Sequence, residues 1–256
     1  MSIRVTPEDL RSGKKLIGAW SQLNNSMSAE IMAKVGFDVI VPDMEHAPMT
    51  LPDLVEIMQA AELGGAFTMV RAPWNDVVWL KQILDCGAKG IHVPYVSTKE
   101  EAEAAVRGCK YPTWGMRGIA SATRASDYGL NKPQYWAHAN EDVIVMVAIE
   151  TPAGVANIDE IASVEGVDGI FIGPSDLSGN MGYMGHPEDP AVQEAIRKIE
   201  ASAKAHGKFL ATISGGGEDA KKKYDRGYSL LYLYSDCGAV VSGAKKALAE
   251  AKEFIK

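Results

Sequence analysis

Cysteine is scarce in this chain of 256 residues, and its absences narrow the function before any motif does. The three cysteines, Cys86, Cys109 and Cys237, are odd in number and lack metal-ligand spacing. They offer neither a disulfide framework nor a thiolate metal site, and they fit a reducing, cytoplasmic setting. No apolar run approaches the ~20 residues a membrane helix needs, so no membrane partner is expected. The opening residues, Met1 to Pro7, have no apolar core of the signal-peptide kind. Positive charge is also in short supply: 26 Lys and Arg stand against 33 Asp and Glu, a net charge of -7. There is no basic stripe, and the short run Lys221 to Lys223 reads as a solvated helix face, so nucleic acid is not expected as a partner.

Three chemistries are missing as well. No lysine falls at the carboxyl end of a candidate strand, because Lys89 and Lys208 precede theirs; a Schiff-base aldolase needs such a lysine. No Gly-x-Ser-x-Gly nucleophile elbow occurs. The first candidate strand has no glycine-rich turn after it, which argues against a doubly wound dinucleotide-binding sheet.

What remains is an ordinary globular balance, 46% hydrophobic and 23% charged. Strands and helices alternate throughout. Apolar runs predict strands over 16–20, 39–41, 67–70, 90–93, 147–149, 169–172, 209–213 and 229–234. Helices are predicted from a Ser28 cap to 35, over 51–63, from an Asp76 cap to 86, over 98–106, 157–162, 190–206 and 218–226, and from 236 to Lys256. A long irregular insert, 109–142, reads as an active-site wall or a subunit contact. Eight such units in one chain of this length predict a single (β/α)8 barrel domain over 1–256, with its chemistry at the carboxyl ends of the strands.

The polar residues of interest fall at that end. Glu150 closes the fifth strand and Asp176 follows the sixth within Gly173-Pro-Ser-Asp176-Leu-Ser. Neighbouring parallel strands lie about 5 Å apart, so the two acids can share one divalent cation, and oxygen ligands favour Mg²⁺ or Mn²⁺ over zinc. The bland alternative is a pair of surface carboxylates. The Gly-Pro turn is expected to leave the Ser175 N–H free for a substrate oxygen. Arg71 ends the third strand and suits an oxyanion; otherwise it is an ion-pair partner at the rim. His46, in Asp43-Met-Glu-His46, suits a general base, with Asp43 or Asp85 to orient it. His92, His138, His186 and His206 read as structural or solvent-facing. Gly215 to Gly217 reads as a hinge or a place where substrate meets bare backbone, ahead of a phosphate cradle.

Asp43-x-Glu-His46-Ala-Pro, Val70-Arg71-x-Pro, Tyr111-Pro-x-x-Gly-x-Arg117-Gly118, Ile149-Glu150-Thr and the stretch from Val164 through Gly173-Pro-Ser-Asp176-Leu-Ser occur in this order. Together they resemble the 4-hydroxy-2-oxoheptanedioate and 2-dehydro-3-deoxyglucarate aldolase family, the metal-dependent pyruvate aldolases. The resemblance spans nearly the whole chain. It implies a barrel of the phosphoenolpyruvate/pyruvate-binding type, assembled as a homohexamer with swapped terminal helices. It also implies Mg²⁺, Mn²⁺ or Co²⁺ on Glu150 and Asp176. By the same resemblance Arg71 stabilises the transition state, His46 is the acid/base and Asp85 raises its basicity. Ser175 binds pyruvate through its backbone, and Trp20 is the aromatic near the pocket. Met44 stands where a glycine is usual and Ala148 where a glutamine is usual, differences that bear on the acceptor.

The expected reaction is reversible cleavage of a 4-hydroxy-2-oxo acid to pyruvate, or hydroxypyruvate, and an aldehyde. Two other readings compete. A citramalyl-CoA-type lyase would need a cationic adenosine-phosphate site that the sequence does not display. A ketoacid-binding sensor would not need the acid, base and metal ligands together.

Overall fold

The computed structural model describes residues 3–255. Eight parallel strands pair in sequence order and close on themselves, the eighth against the first. In chain order the elements are α1 (Pro7–Arg11), β1 (Leu16–Ser21), α2 (Ser26–Val35), β2 (Val39–Pro42), α3 (Leu51–Leu63), β3 (Phe67–Arg71), α4 (Val77–Asp85), β4 (Gly90–Val93), α5 (Lys99–Cys109), a 3₁₀ segment (Arg124–Gly129), α6 (Lys132–Asp142) and β5 (Ile144–Ile149). There follow α7 (Pro152–Ala156), α8 (Ile158–Ser163), β6 (Gly169–Ile172), α9 (Pro174–Asn180), α10 (Pro190–Ala205), β7 (Phe209–Ile213), α11 (Gly217–Asp225), β8 (Leu230–Ser235) and α12 (Asp236–Lys252). This is the expected (β/α)8 barrel.

Two apolar cores explain why the strands read so plainly. Residues alternate along each strand between the barrel interior and the helical shell. Trp20, Val41, Phe67, Met69, Met146, Phe171, Phe209 and Tyr232 fill the interior, and Leu10 of α1 joins them from below. Ile40, Val70, Ile91, Val145, Val147, Ile170 and Leu210 face outward onto the helices, which return Leu54, Ile57, Leu80, Ile161 and Ile199. With both faces covered, the strands are continuous apolar runs. Truncating one fully buried ring such as Phe67 to alanine should cost about 3–5 kcal/mol.

The helix starts are set by local chemistry. Thr50 with Asp53 and Thr98 with Glu101 form reciprocal capping boxes, and Asp76 accepts from the N–H groups of Val78 and Trp79. Each such cap is worth about 1 kcal/mol. Several boundaries differ from expectation. The cap of α2 is Asn25, whose side chain accepts the Ser28 N–H, so Ser28 lies inside the helix. The insert is less irregular than its length suggests, since α6 occupies its second half. The helix expected over 157–162 is α8, and a further short helix that was not expected, α7, precedes it, the two meeting at Asn157. Asp176 sits in the first turn of α9 instead of a free turn. The closing helix stops at Lys252; Lys256, its expected end, and Met1 and Ser2 lie outside the described residues.

Candidate active site

Strand β3 delivers Arg71 to the carboxyl end of the barrel, and the residues after β2 take hold of it. Asp43 accepts from Arg71 Nε at 2.9 Å and from Nη2 at 2.7 Å, a two-pronged pair. Glu45 lies 3.1 Å from Nη1. The guanidinium stacks over Trp20 of β1, with 4.2 Å from its carbon to the ring centre. Beneath it Trp20, His92, Phe171 and Tyr232 form an aromatic floor, with ring centres 4.5–6.2 Å apart in the closest pairs. A guanidinium carries five N–H groups. Asp43 takes one at Nε and one at Nη2, and Glu45 draws on Nη1, so two stay free for an oxyanion.

Asp43 is fully buried and has no acceptor capacity left for an imidazole. Besides Arg71 it accepts from Gln22 Nε2 at 2.9 Å and from the N–H groups of Glu45 and His46 at 3.2 Å. Burial works to raise its carboxyl, but the hydrogen bonds and charge of Arg71 outweigh that and hold it below the usual range. Asp43 therefore fixes Arg71 and the backbone of His46, rather than the His46 ring. The ring itself is exposed, and its Nε2 is 3.6 Å from Glu45 Oε2. Asp85, the other expected orienter, ends α4 and pairs with Arg117 Nη2 at 2.7 Å. Helix ends of that kind lie at the amino face of the barrel, so this chain does not bring its own Asp85 to its own His46.

Glu150 leaves β5 into a buried position against Gly173. Its Oε2 accepts the Tyr95 N–H at 3.2 Å. Burial, then the nearby charges of Asp176 and Glu45, push its carboxyl up to about 7. Burial also raises Glu45, against the pull of Arg71 and His46. Glu150, Asp176, Glu45 and Arg71 thus form one electrostatic group, which includes both expected metal ligands. Ser175 is exposed as the second residue of α9, where first-turn N–H groups have no acceptor within the helix. Ala148 is buried in the barrel interior and sends no polar group to the site.

The donor set fits a hard divalent cation. Burial, and then the charges of Asp176 and Glu45, raise the Glu150 carboxyl, and a cation would offset both the lost hydration and the repulsion. Among the described residues no group of three or more His, Cys, Asp or Glu side chains is arranged to hold a metal ion. A cation here would rest on Glu150 and Asp176 and take its remaining oxygens from water or substrate.

Residues 16–242 match the family HpcH/HpaI aldolase/citrate lyase. The chain belongs to that family. It is 39% identical over 230 residues to the 5-keto-4-deoxy-D-glucarate aldolase of Salmonella arizonae, covering 90% of each chain. The namesake enzyme of Citrobacter koseri is 40% identical over 90% of this chain and 89% of its own. Among solved structures, an HpcH/HpaI aldolase/citrate lyase family protein from Burkholderia cenocepacia J2315 superposes with a TM-score of 0.91, at 30% identity over 96% of this chain and 98% of that one.

Some contributors escaped the sequence reading. Glu45 lay unassigned inside the motif around His46, and Gln22 and Tyr95 were not singled out. His92, expected to be structural or solvent-facing, takes a structural place: it is fully buried in the floor, and both its nitrogens lack a hydrogen-bond partner among the described residues. Burial, with the Arg71 charge, holds it well below the usual imidazole range, so it is neutral. The glycine turn after β7 is occupied from within, because Asp219 accepts from the Gly215 N–H and the Ser214 hydroxyl.

Proposed function

We propose that the protein is a divalent-cation-dependent aldolase that reversibly cleaves 4-hydroxy-2-oxo acids to pyruvate, or hydroxypyruvate, and an aldehyde. The observation that carries this is the pairing of a carboxylate cluster with a half-free guanidinium at the carboxyl end of a barrel from this family. The names of its relatives, 5-keto-4-deoxy-D-glucarate aldolases, support the same reaction class.

Glu150 and Asp176 would hold Mg²⁺, Mn²⁺ or Co²⁺. When bound, such an ion supplies Lewis-acid stabilisation of charge developing on the 2-oxo acid. Arg71 presents its two free N–H groups to the same developing charge. Asp43 and Trp20 keep that fork in one orientation, so little reorganisation is needed as charge builds. The N–H of Ser175, in the first turn of α9, would hold the ketoacid. His46, exposed at the mouth, takes the 4-hydroxyl proton through a water during cleavage and returns it during condensation. Asp85 can raise the basicity of His46 only from a neighbouring copy of the chain.

The reading includes a homo-oligomer, a hexamer with α12 exchanged between copies. Exposed Val240, Val241 and Leu248 on α12 support it. The chain is proposed as a single domain working in the cytoplasm, which suits its three free cysteines. Among the described residues no helix is long and apolar enough to cross a membrane.

The test is a condensation panel. Pyruvate and hydroxypyruvate are each offered a series of aldehydes with Mg²⁺, Mn²⁺ or Co²⁺, before and after chelation. Product formation that vanishes on chelation and returns with metal is the expected result. Full activity in chelator, together with covalent trapping of pyruvate by borohydride, would end the proposal.

A further inference from the structure

Tyr95 follows β4 with φ of +60°, a left-handed backbone that bulky residues seldom take. The conformation has a visible result: the Tyr95 N–H points at Glu150 Oε2, 3.2 Å away. The tyrosine is also held from its other end. Its hydroxyl accepts from Asn180 Nδ2 at 2.8 Å, and the same nitrogen donates to the Glu150 backbone carbonyl at 2.9 Å. The Trp74 ring lies 5.8 Å from the Tyr95 ring, centre to centre, and flanks it. Gly173 packs directly against the Glu150 side chain: a Cβ there would run into Oε1 first and fall 2.7 Å from Cγ, so a larger residue would push the carboxylate from its place.

Asn180 is the last residue of α9, four positions after Asp176. Residues at that spacing share one face of a helix. One amide group therefore ties the helix that carries Asp176 to the strand end that carries Glu150. We propose that Tyr95 and Asn180 are positioning residues: Tyr95 engages Glu150 Oε2 through its N–H, Asn180 fixes the spacing of the two carboxylates, and Oε1 is left to face a divalent cation. The proposal rests on the reading that Glu150 and Asp176 hold that cation.

The test is a Mn²⁺ titration of the full-length protein without substrate, read from the paramagnetic resonance of the free ion. Asn180→Ala should weaken binding about tenfold, as loss of a supporting hydrogen bond around a metal ligand commonly does. Tyr95→Phe keeps the N–H and removes only the hydroxyl acceptor, so its loss should be smaller. Tyr95→Gly keeps the N–H and eases the left-handed backbone, and should fall between the two. Glu150→Gln is the control. If it abolishes binding while Asn180→Ala and Tyr95→Phe bind as the unaltered chain does, the bracing role is wrong and the cation site stands. If Glu150→Gln binds as well as the unaltered chain, the cation site is wrong and the bracing role falls with it. Should Asn180→Ala fail to fold, as judged by circular dichroism, Tyr95→Phe decides: weakened binding supports the brace, unchanged binding overturns it.

Discussion

The two ends of this barrel treat charge in opposite ways. At the amino end, Asp168 accepts from Arg11 Nε at 2.7 Å and from the Val145 N–H at 2.8 Å. Lys110 and Lys208 are close enough to feel it, and both spend their ammonium groups on backbone carbonyls. Cation and carboxylate are matched there, around a cavity of about 410 Å³. At the carboxyl end, Asp43, Glu45, Glu150 and Asp176 gather around one guanidinium, Arg71, among the described residues. Asp43 uses most of that charge, and Glu150 is left short. The same residue types make a finished structure at one end and an unfinished one at the other. What is unfinished is available to a ligand.

The comparison can be broken by removing the surplus charge. Glu150→Gln should lower kcat/KM about 1,000-fold, or about 4 kcal/mol of transition-state stabilisation. The substrate-free protein should lose no thermal stability. A variant with near-normal turnover would show that the surplus is incidental.

Titration sharpens the same contrast. Burial and its acidic neighbours place the folded Glu150 at about 7, against 4.5 for an ordinary glutamate. Between those values the folded chain keeps a proton that the unfolded chain has released. The stability this confers is whole below about pH 4.5 and is lost as pH rises through about 7, by up to about 3 kcal/mol. Denaturant unfolding of the metal-free protein should follow that slope, and Glu150→Gln should flatten it.

Arg71→Lys keeps the charge and loses the fork. Lysine cannot satisfy both Asp43 oxygens and still present two donors, so kcat should fall about 100-fold with a smaller change in KM. Steady-state kinetics with pyruvate and an aldehyde would show it; a change confined to KM would mean that Arg71 only binds. The smallest effect belongs to the amino end. Asp168→Asn breaks the pair with Arg11, which is 32% exposed, so solvent screening limits the cost to about 1 kcal/mol or less. Kinetic constants should not move.

The strands were legible because most of their residues are apolar and buried, and the spacing of caps and glycines placed most helices between them. The pieces that were not legible are short. Helices α1, α7 and α9 are five to seven residues long, too short for a periodic pattern to rise above its surroundings. Glu150, Asp176, Arg71 and His46 could be nominated because each follows an apolar run at the same end. Which carboxylate serves which cation could not. Asp43 lies 28 positions before Arg71 in the chain, and only barrel closure shows that it holds the guanidinium instead of the imidazole. Asp85 is the converse case. The family resemblance nominated it for His46, its place at a helix end already argued against a contact within one chain, and what the sequence did not show is its pairing with Arg117.

The stack of Arg71 on Trp20 has an optical consequence. Trp20 is only 8% exposed, whereas Trp74, Trp79, Trp114 and Trp136 are each at least 38% exposed. The indole expected to emit at the shortest wavelength is thus the one lying 4.2 Å from the guanidinium carbon. A positive charge at that distance tunes the excited state, so an anion that engages the free edge of Arg71 should shift and quench the blue side of the emission band. The fold carries its own fluorophore under the proposed site, and its emission should report occupancy without a label.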